Sequence, residues 1–182
     1  MINDIILMNG SGKMKQNEIY EKVKDFKRRF PTTISWRLKA HSKVAAKLIN
    51  KDENILYAFA AQKSPTSFNM LSTFVFVLTD KRIVLAQKRM IYGYFYYSIT
   101  PDMFNDLTLR MGLIWGKAII DTVREQVYLS GLTKGALEEL ETVLSKYMIQ
   151  KKRELELGDE TDKAKIVDME KELIKISKKG EK

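Results

Sequence analysis

The run Thr73-Phe74-Val75-Phe76-Val77-Leu78-Thr79-Asp80-Lys81-Arg82-Ile83-Val84-Leu85 decides how this chain folds. Its first seven residues are uncharged and rich in β-branched and aromatic side chains, which suits a strand and is too short for a comfortable helix. Asp80-Lys81 supplies a tight turn, and Ile83-Val84-Leu85 begins a strand that returns beside the first.

The strand-like period continues on both sides. Ile55 to Lys63 reads as a strand before the run. After a turn near Lys88-Arg89-Met90, Ile91 to Ile99 reads as another, with Tyr92, Tyr94 and Tyr96 on one face and Phe95, Tyr97 and Ile99 on the other. Pro101-Asp102 interrupts the pattern; Phe104 to Met111, Ile114 to Val123 and Gln126 to Ser130 complete a set of seven, divided by Gly112 and by Arg124-Glu125. Seven successive strands without a helix between them call for antiparallel pairing, with edges hidden by barrel closure or by capping.

Helical periods flank the strands. After the Asn9-Gly10-Ser11-Gly12 punctuation, Ile19, Val23, Phe26 and Phe30 mark one face of a helix that Pro31 ends. Thr32 and Thr33 are expected to cap a second helix running to about Ile49, the two forming a helical hairpin. On the other side, Thr133 caps a helix whose apolar stripe is Leu137, Leu140, Leu144 and Tyr147. Gly158 is expected to break it, and Ile166, Met169, Leu173 and Ile176 then form a short association seam. The expected organisation is 1–50 as an N-terminal segment and basic hairpin, 52–153 as the strand domain with its closing helix, and 158–182 as a charged helical tail.

Several stretches resemble the YokE-like bacterial PH domains. The run from Thr73 to Leu85 is similar to that family's strand, Thr-Asn/Asp-Lys-Arg turn and second strand. Tyr96-Tyr97-Ser98-Ile99 resembles its Tyr-Ser-x-Ile segment, Gly112 to Ile120 its glycine-containing hairpin, and Ala136 to Leu144 its closing helix, so the likeness covers about residues 52–148. The resemblance implies an α+β, PH-like seven-stranded antiparallel β-barrel or orthogonal sandwich of four and three strands, closed by a C-terminal helix. Here a helical hairpin would precede that unit and a charged helix follow it. The first turn, Gln62-Lys63-Ser64-Pro65-Thr66, holds one lysine and departs from the basic cluster of eukaryotic lipid-binding members.

Composition narrows the function. The chain has no cysteine, which excludes disulfides, thiolate nucleophiles and Cys-ligated zinc. Ile5 to Met8 is too short for a signal core and follows an acid, Asp4, so a mature cytoplasmic chain is expected. His41 is the lone histidine, without a catalytic or metal partner in sequence. Gly10-Ser11-Gly12-Lys13 lacks the first glycine of a phosphate loop, since Leu7 stands there, and Met14 replaces its magnesium-binding hydroxyl. The carboxylates are scattered, so no enzyme activity, metal or cofactor is expected.

The net charge of +9 is concentrated in residues 13–49, where eleven Lys or Arg face three Asp or Glu. Lys22, Lys24, Lys27, Arg28, Arg29, Arg37 and Lys39 form a candidate surface for an anionic partner. The tyrosine face of Tyr92, Tyr94 and Tyr96 is expected to be covered by the helical hairpin, with stacking of nucleic-acid bases as the minor alternative. The expected function is a non-enzymatic binding or scaffolding module for a protein partner, with homo-oligomerisation through the seam as one form of association. Contact of the basic arm with an anionic membrane surface, or with nucleic acid, is the alternative.

Overall fold

Thr79 reverses the chain where the sequence marks the turn. Its N–H donates to the Arg82 carbonyl at 2.9 Å, and its hydroxyl accepts from the N–H groups of Lys81 and Arg82 at 3.2 and 3.0 Å. Asn54 holds Asp80 with its backbone N–H at 3.0 Å and its side-chain amide at 2.8 Å. The computed structural model describes the backbone of residues 2–179 and the side chains of residues 12–156 and 158.

Seven antiparallel strands follow one another: β1 (Ile55–Gln62), β2 (Thr73–Thr79), β3 (Ile83–Lys88), β4 (Tyr94–Ile99), β5 (Phe104–Arg110), β6 (Trp115–Thr122) and β7 (Gln126–Thr133). Their spatial order is β4-β3-β2-β1-β7-β6-β5. A four-stranded leaf and a three-stranded leaf meet at one rung, Gln62 opposite Ser130, which curls the sheet into a half-barrel. Edges β4 and β5 are left facing an open side. Tight turns need glycine: a Cβ on Gly112 would lie 2.3 Å from the Trp115 carbonyl oxygen, and Gly93 closes the β3–β4 turn at φ +72°.

Cross-strand partners share a face, so the register sorts the side chains. Ala58, Val77, Val84 and Ser98 fall in one row, and Ala60, Val75, Ala86 and Tyr96 in the next. Phe59, Phe76, Leu85 and Tyr97 line the opposite, interior face, where Phe59 and Phe76 stack at 4.9 Å.

Two helices, α1 (Ile2–Arg29) and α2 (Leu38–Leu48), cover the first face. Ile19 and Val23 of α1 and Val44, Ala45 and Ala46 of α2 join Ala58, Ala60, Val75, Val77, Val84 and Ala86 in one buried core. Three alanines on the strand side keep that face shallow, so the helix backbones approach closely. At the far end of α2, the Glu53 carboxylate accepts from Arg82 Nη2 at 2.8 Å and Nε at 3.3 Å, from Thr79 Oγ1 at 3.1 Å and from the Asn50 N–H at 3.4 Å. Arg82 also donates to the Leu48 carbonyl at 2.9 Å and to Ser98 Oγ at 3.3 Å, tying α2, the β2–β3 turn and β4 together.

Three helix boundaries differ from the sequence expectation. Gly10-Ser11-Gly12 lies inside α1 and is no linker: each glycine costs about 1 kcal/mol against alanine, and the helix formers around it outweigh that. The second helix starts at Leu38 because residues 32–37 are committed elsewhere. The Thr32 carbonyl accepts from Trp115 Nε1 at 2.9 Å, the Ile34 N–H donates to the Gly131 carbonyl at 2.8 Å, and Arg37 sits at φ 51°. Gly158 does not break the last helix, α3 (Lys134–Lys179): the backbone runs through it, at the propensity cost of one glycine.

The chain divides into two compact units, Met1–Val143 and Leu144–Lys182. In the first, the opening turns of α3 bury Ala136, Leu137 and Leu140; Glu139 pairs with Arg29 and accepts from the Tyr57 hydroxyl. Burial, followed by the Glu139 hydrogen bond, holds the Tyr57 phenol above its ordinary range. In the second, Lys151 and Gln150 both donate to Glu154, at 2.5 and 2.9 Å, along the surface of the continuing helix.

Candidate functional site

β4 carries the least covered large side chains of any strand. Tyr94 and Tyr96 are 50% and 56% exposed and Phe95 and Tyr97 are also exposed, although Leu85 and Ala86 opposite them on β3 are fully buried. Contrary to the sequence expectation, the hairpin does not cover Tyr92, Tyr94 and Tyr96. It docks on the same face, over β1, β2 and β3, and stops short of the edge. The alanine-rich rows admit a helix, whereas Tyr94 and Tyr96 would hold it away from the sheet.

The turn before β4 adds a second exposed group. Met90, Ile91 and Tyr92, the last two 80% and 82% exposed, project between Lys88 and Gly93. With Leu71 of the β1–β2 loop and Trp36, Arg37 and His41 at the start of α2, they line a cavity of about 600 Å³. Basic groups border it. The Arg89 guanidinium lies 4.9 Å from the Phe95 ring centre, the Arg37 guanidinium 5.5 Å from Trp36, and on the interior side Lys63 Nζ stands 3.4 Å above Tyr97. Lys63 also pairs with Glu125 at 3.3 Å.

His41 contributes structure to this wall. Its Nδ1 accepts the Lys88 N–H at 2.8 Å, fastening α2 to the end of β3. Burial, then the Arg37 charge, depress its pKa to about 4 against a weaker opposing bond from the Trp36 backbone, so the ring is neutral at pH 7. No serine, threonine, cysteine or carboxylate joins it in the cavity lining. Among the described residues, no group of three His, Cys, Asp or Glu side chains is placed to hold a metal ion.

The basic arm is largely engaged with its own chain. Lys22 pairs with Glu18, Lys24 with Glu21, and Arg28 and Arg29 both with Asp25. Those two arginines, chiefly by hydrogen bonding, hold the Asp25 carboxyl below its ordinary value. Lys27 donates to the carbonyls of Pro31 and Thr33, closing the loop after α1. Arg37 is drawn away to Trp36 and the Arg89 carbonyl, at 3.5 Å, while Lys39 is exposed on α2. The seam residues Ile166, Met169, Leu173 and Ile176 lie on α3, and their side chains fall outside the described residues.

The sheet of seven strands with its closing helix coincides with a known family: the model of the Bacterial PH domain matches residues 49–146. The chain belongs to the bacterial PH domain family. The match takes in every strand and the first turns of α3 and leaves α1 and α2 outside the PH domain. Two solved structures are similar to it. One is a pleckstrin homology domain from Shewanella amazonensis SB2B, 14% identical, with 57% of this chain and 81% of that one covered and a TM-score of 0.40. The other is a DUF1696 family protein with a pleckstrin-homology domain from Shewanella loihica PV-4, 14% identical, with 56% and 87% covered and a TM-score of 0.39. No curated protein matches the chain. No helix among the described residues is long and apolar enough to cross a membrane.

Sequence reasoning marked the aromatic residues of β4 but expected them to be packed. The signal that locates the site is topological: β4 is at one end of the strand order, and among the described residues β3 is the one strand beside it.

Proposed function

We propose that this PH domain is a non-enzymatic protein-interaction module that receives its partner at the β3–β4 corner. The observation carrying the proposal is the continuous exposed apolar surface from Leu71 through Met90, Ile91 and Tyr92 to the aromatic residues of β4. Exposed groups of that kind, rimmed by Arg37, Lys88 and Arg89, mark interaction sites on soluble domains. The helices α1 and α2 pack over β1, β2 and β3, and His41 of α2 accepts the Lys88 N–H at the corner itself.

A second reading, contact with an anionic membrane surface, draws support from the same turn, where the exposed Ile91 and Tyr92 follow Lys88 and Arg89. The basic arm supports it less, because most of its cations already have acid or carbonyl partners. Nucleic-acid binding draws less support again, since residues 30–37 form an irregular connection in place of a tight turn between helices.

Affinity capture with full-length protein and with an Ile91→Glu, Tyr92→Glu variant separates the readings. Both side chains are exposed, so the variant keeps its fold. Proteins retained by the parent and lost by the variant are the expected result. Sedimentation with anionic but not neutral vesicles, with no protein lost by the variant, would overturn the protein-partner reading.

A further inference from the structure

The two free edges of the half-barrel are built differently. β5 carries Asn105, Asp106 and Arg110 and a register shift between Phe104 and Asp106, the devices by which natural sheets keep an edge from pairing. β4 has none of these: Tyr94-Phe95-Tyr96-Tyr97-Ser98-Ile99 contains no charge, no proline and no register shift against β3.

The hydrogen-bond phase of this edge follows from the register. The Arg89 N–H donates to the Gly93 carbonyl at 3.3 Å, so alternation along the antiparallel ladder assigns Phe95, Tyr97 and Ile99 to the bonds with β3. The turn at the other end agrees. The bond from the Thr79 N–H to the Arg82 carbonyl directs Val84 and Ala86 towards β2, which leaves Ile83, Leu85 and Gln87 for β4. The backbone N–H and C=O groups of Tyr94, Tyr96 and Ser98 therefore point outward, away from the sheet.

Grooves run beside this edge. One of about 420 Å³ is lined by Lys63, Leu71, Phe74, Phe95 and Tyr97, and one of about 320 Å³ by Tyr96, Ile99, Met103, Arg124 and Val127. At the Tyr94 end, Arg37, Lys88 and Arg89 surround the larger cavity.

We infer that β4 receives an extended acidic peptide of a protein partner as an eighth, antiparallel strand, through the outward backbone groups of Tyr94, Tyr96 and Ser98. This rests on the protein-interaction reading above. Alternate side chains of the added strand lie against Tyr94 and Tyr96 on one face and reach the Phe95–Tyr97 groove on the other. Because the added strand is antiparallel, its C-terminal half runs beside Tyr94, where acidic side chains meet Arg37, Lys88 and Arg89. Charge selects this occupant over a second copy of the chain, since each copy carries +9 and would bring like charge to the same edge.

The test uses selection from a displayed library of random ten-residue peptides on the intact full-length protein. The expected winners alternate apolar and polar residues and carry Asp or Glu in the C-terminal half. A synthetic winner should bind Tyr96→Pro at least about tenfold more weakly. Proline is tolerated at that position because the Tyr96 N–H faces solvent. Tyr96→Lys, which leaves the backbone intact, should lose affinity likewise and guards against misfolding of the proline variant. Arg89→Glu should weaken acidic winners, and the bound peptide should slow amide exchange at Tyr94, Tyr96 and Ser98 in alternation.

Winners that bind the parent and both Tyr96 variants equally, or that protect other amides, overturn strand addition while leaving a protein-interaction module in place. A library that yields no binder overturns both. A parent that sediments as a dimer and a Tyr96→Pro variant that sediments as a monomer would give the edge to a second copy and overturn the peptide assignment.

Discussion

Arg82→Ala tests whether the Glu53 latch holds α2 to the sheet. The Glu53 side chain is 1% exposed, and burial raises its pKa; the Arg82, Thr79 and Asn50 hydrogen bonds outweigh that and bring the carboxyl below its ordinary value. Removing the guanidinium takes two of the four hydrogen bonds and the ion-pair partner, and breaking a buried pair in this way costs about 3–5 kcal/mol. Arg82 is itself 24% exposed, so water can enter the vacated space, and the lower end, about 3 kcal/mol, is expected. For a domain of this size that corresponds to a Tm lower by about 6–12 °C in a calorimetric scan.

The pH dependence gives the sharper check. In the parent the depressed pKa contributes stability that is present above the unfolded value and is lost as pH falls through the folded one. In the variant the lowering by Arg82 is gone, so the folded pKa rises relative to the parent's and less stability is lost as pH falls. The gap between parent and variant should therefore narrow from pH 7.5 to pH 4.5, and adding Glu53→Gln to the variant should restore part of the loss at pH 7.5. An equal gap at both pH values, with no rescue by Glu53→Gln, would refute the reasoning.

Four further outcomes follow from single sites. Gln62→Met should raise stability by about 1–2 kcal/mol in urea unfolding, because both polar atoms of that buried amide lack a hydrogen-bond partner. Gly116→Ala should lower it by about 1–3 kcal/mol, since a Cβ there would meet the Arg110 carbonyl oxygen at 2.6 Å and Leu137 Cδ1 at 2.5 Å. Arg37→Gly should gain about 1 kcal/mol by relieving a left-handed backbone at φ 51°, read as a higher urea midpoint. The His41 ring should titrate near pH 4 by NMR, and its contribution to stability, full above the unfolded value near 6.5, should fall away as pH drops towards 4; a midpoint near 6.5 would remove that interpretation.

The strands were legible because their evidence is local. The apolar runs Thr73 to Thr79 and Ile83 to Leu85 and the turn residues around Asp80 leave little choice of structure, and β1 to β7 fall within a few residues of the expected ranges. The helix ends were not. Gly12 and Gly158 read as breaks, yet both lie inside helices, because a single glycine carries only a modest propensity cost that its helix-forming neighbours outweigh. Thr32 and Thr33 look like caps, but the backbone around them is hydrogen-bonded to Trp115, Lys27 and β7, partners remote in the chain or invisible to a local reading. The site was half legible for the same reason. Composition identifies Tyr94 to Tyr97 as aromatic, but being at an edge is a property of the strand order, which only pairing over long separations creates.

The alanine rows beneath the helices have a bearing on where this domain can be cut. The family match begins at residue 49, so a chain trimmed to that boundary would lay Ala58, Ala60, Val75, Val77, Val84 and Ala86 open to water. The hairpin is thus no detachable appendage but part of what keeps the sheet dispersed. Any enlargement of Ala58 or Ala60 would crowd the helices that share this core, so the two segments limit one another's side-chain volume.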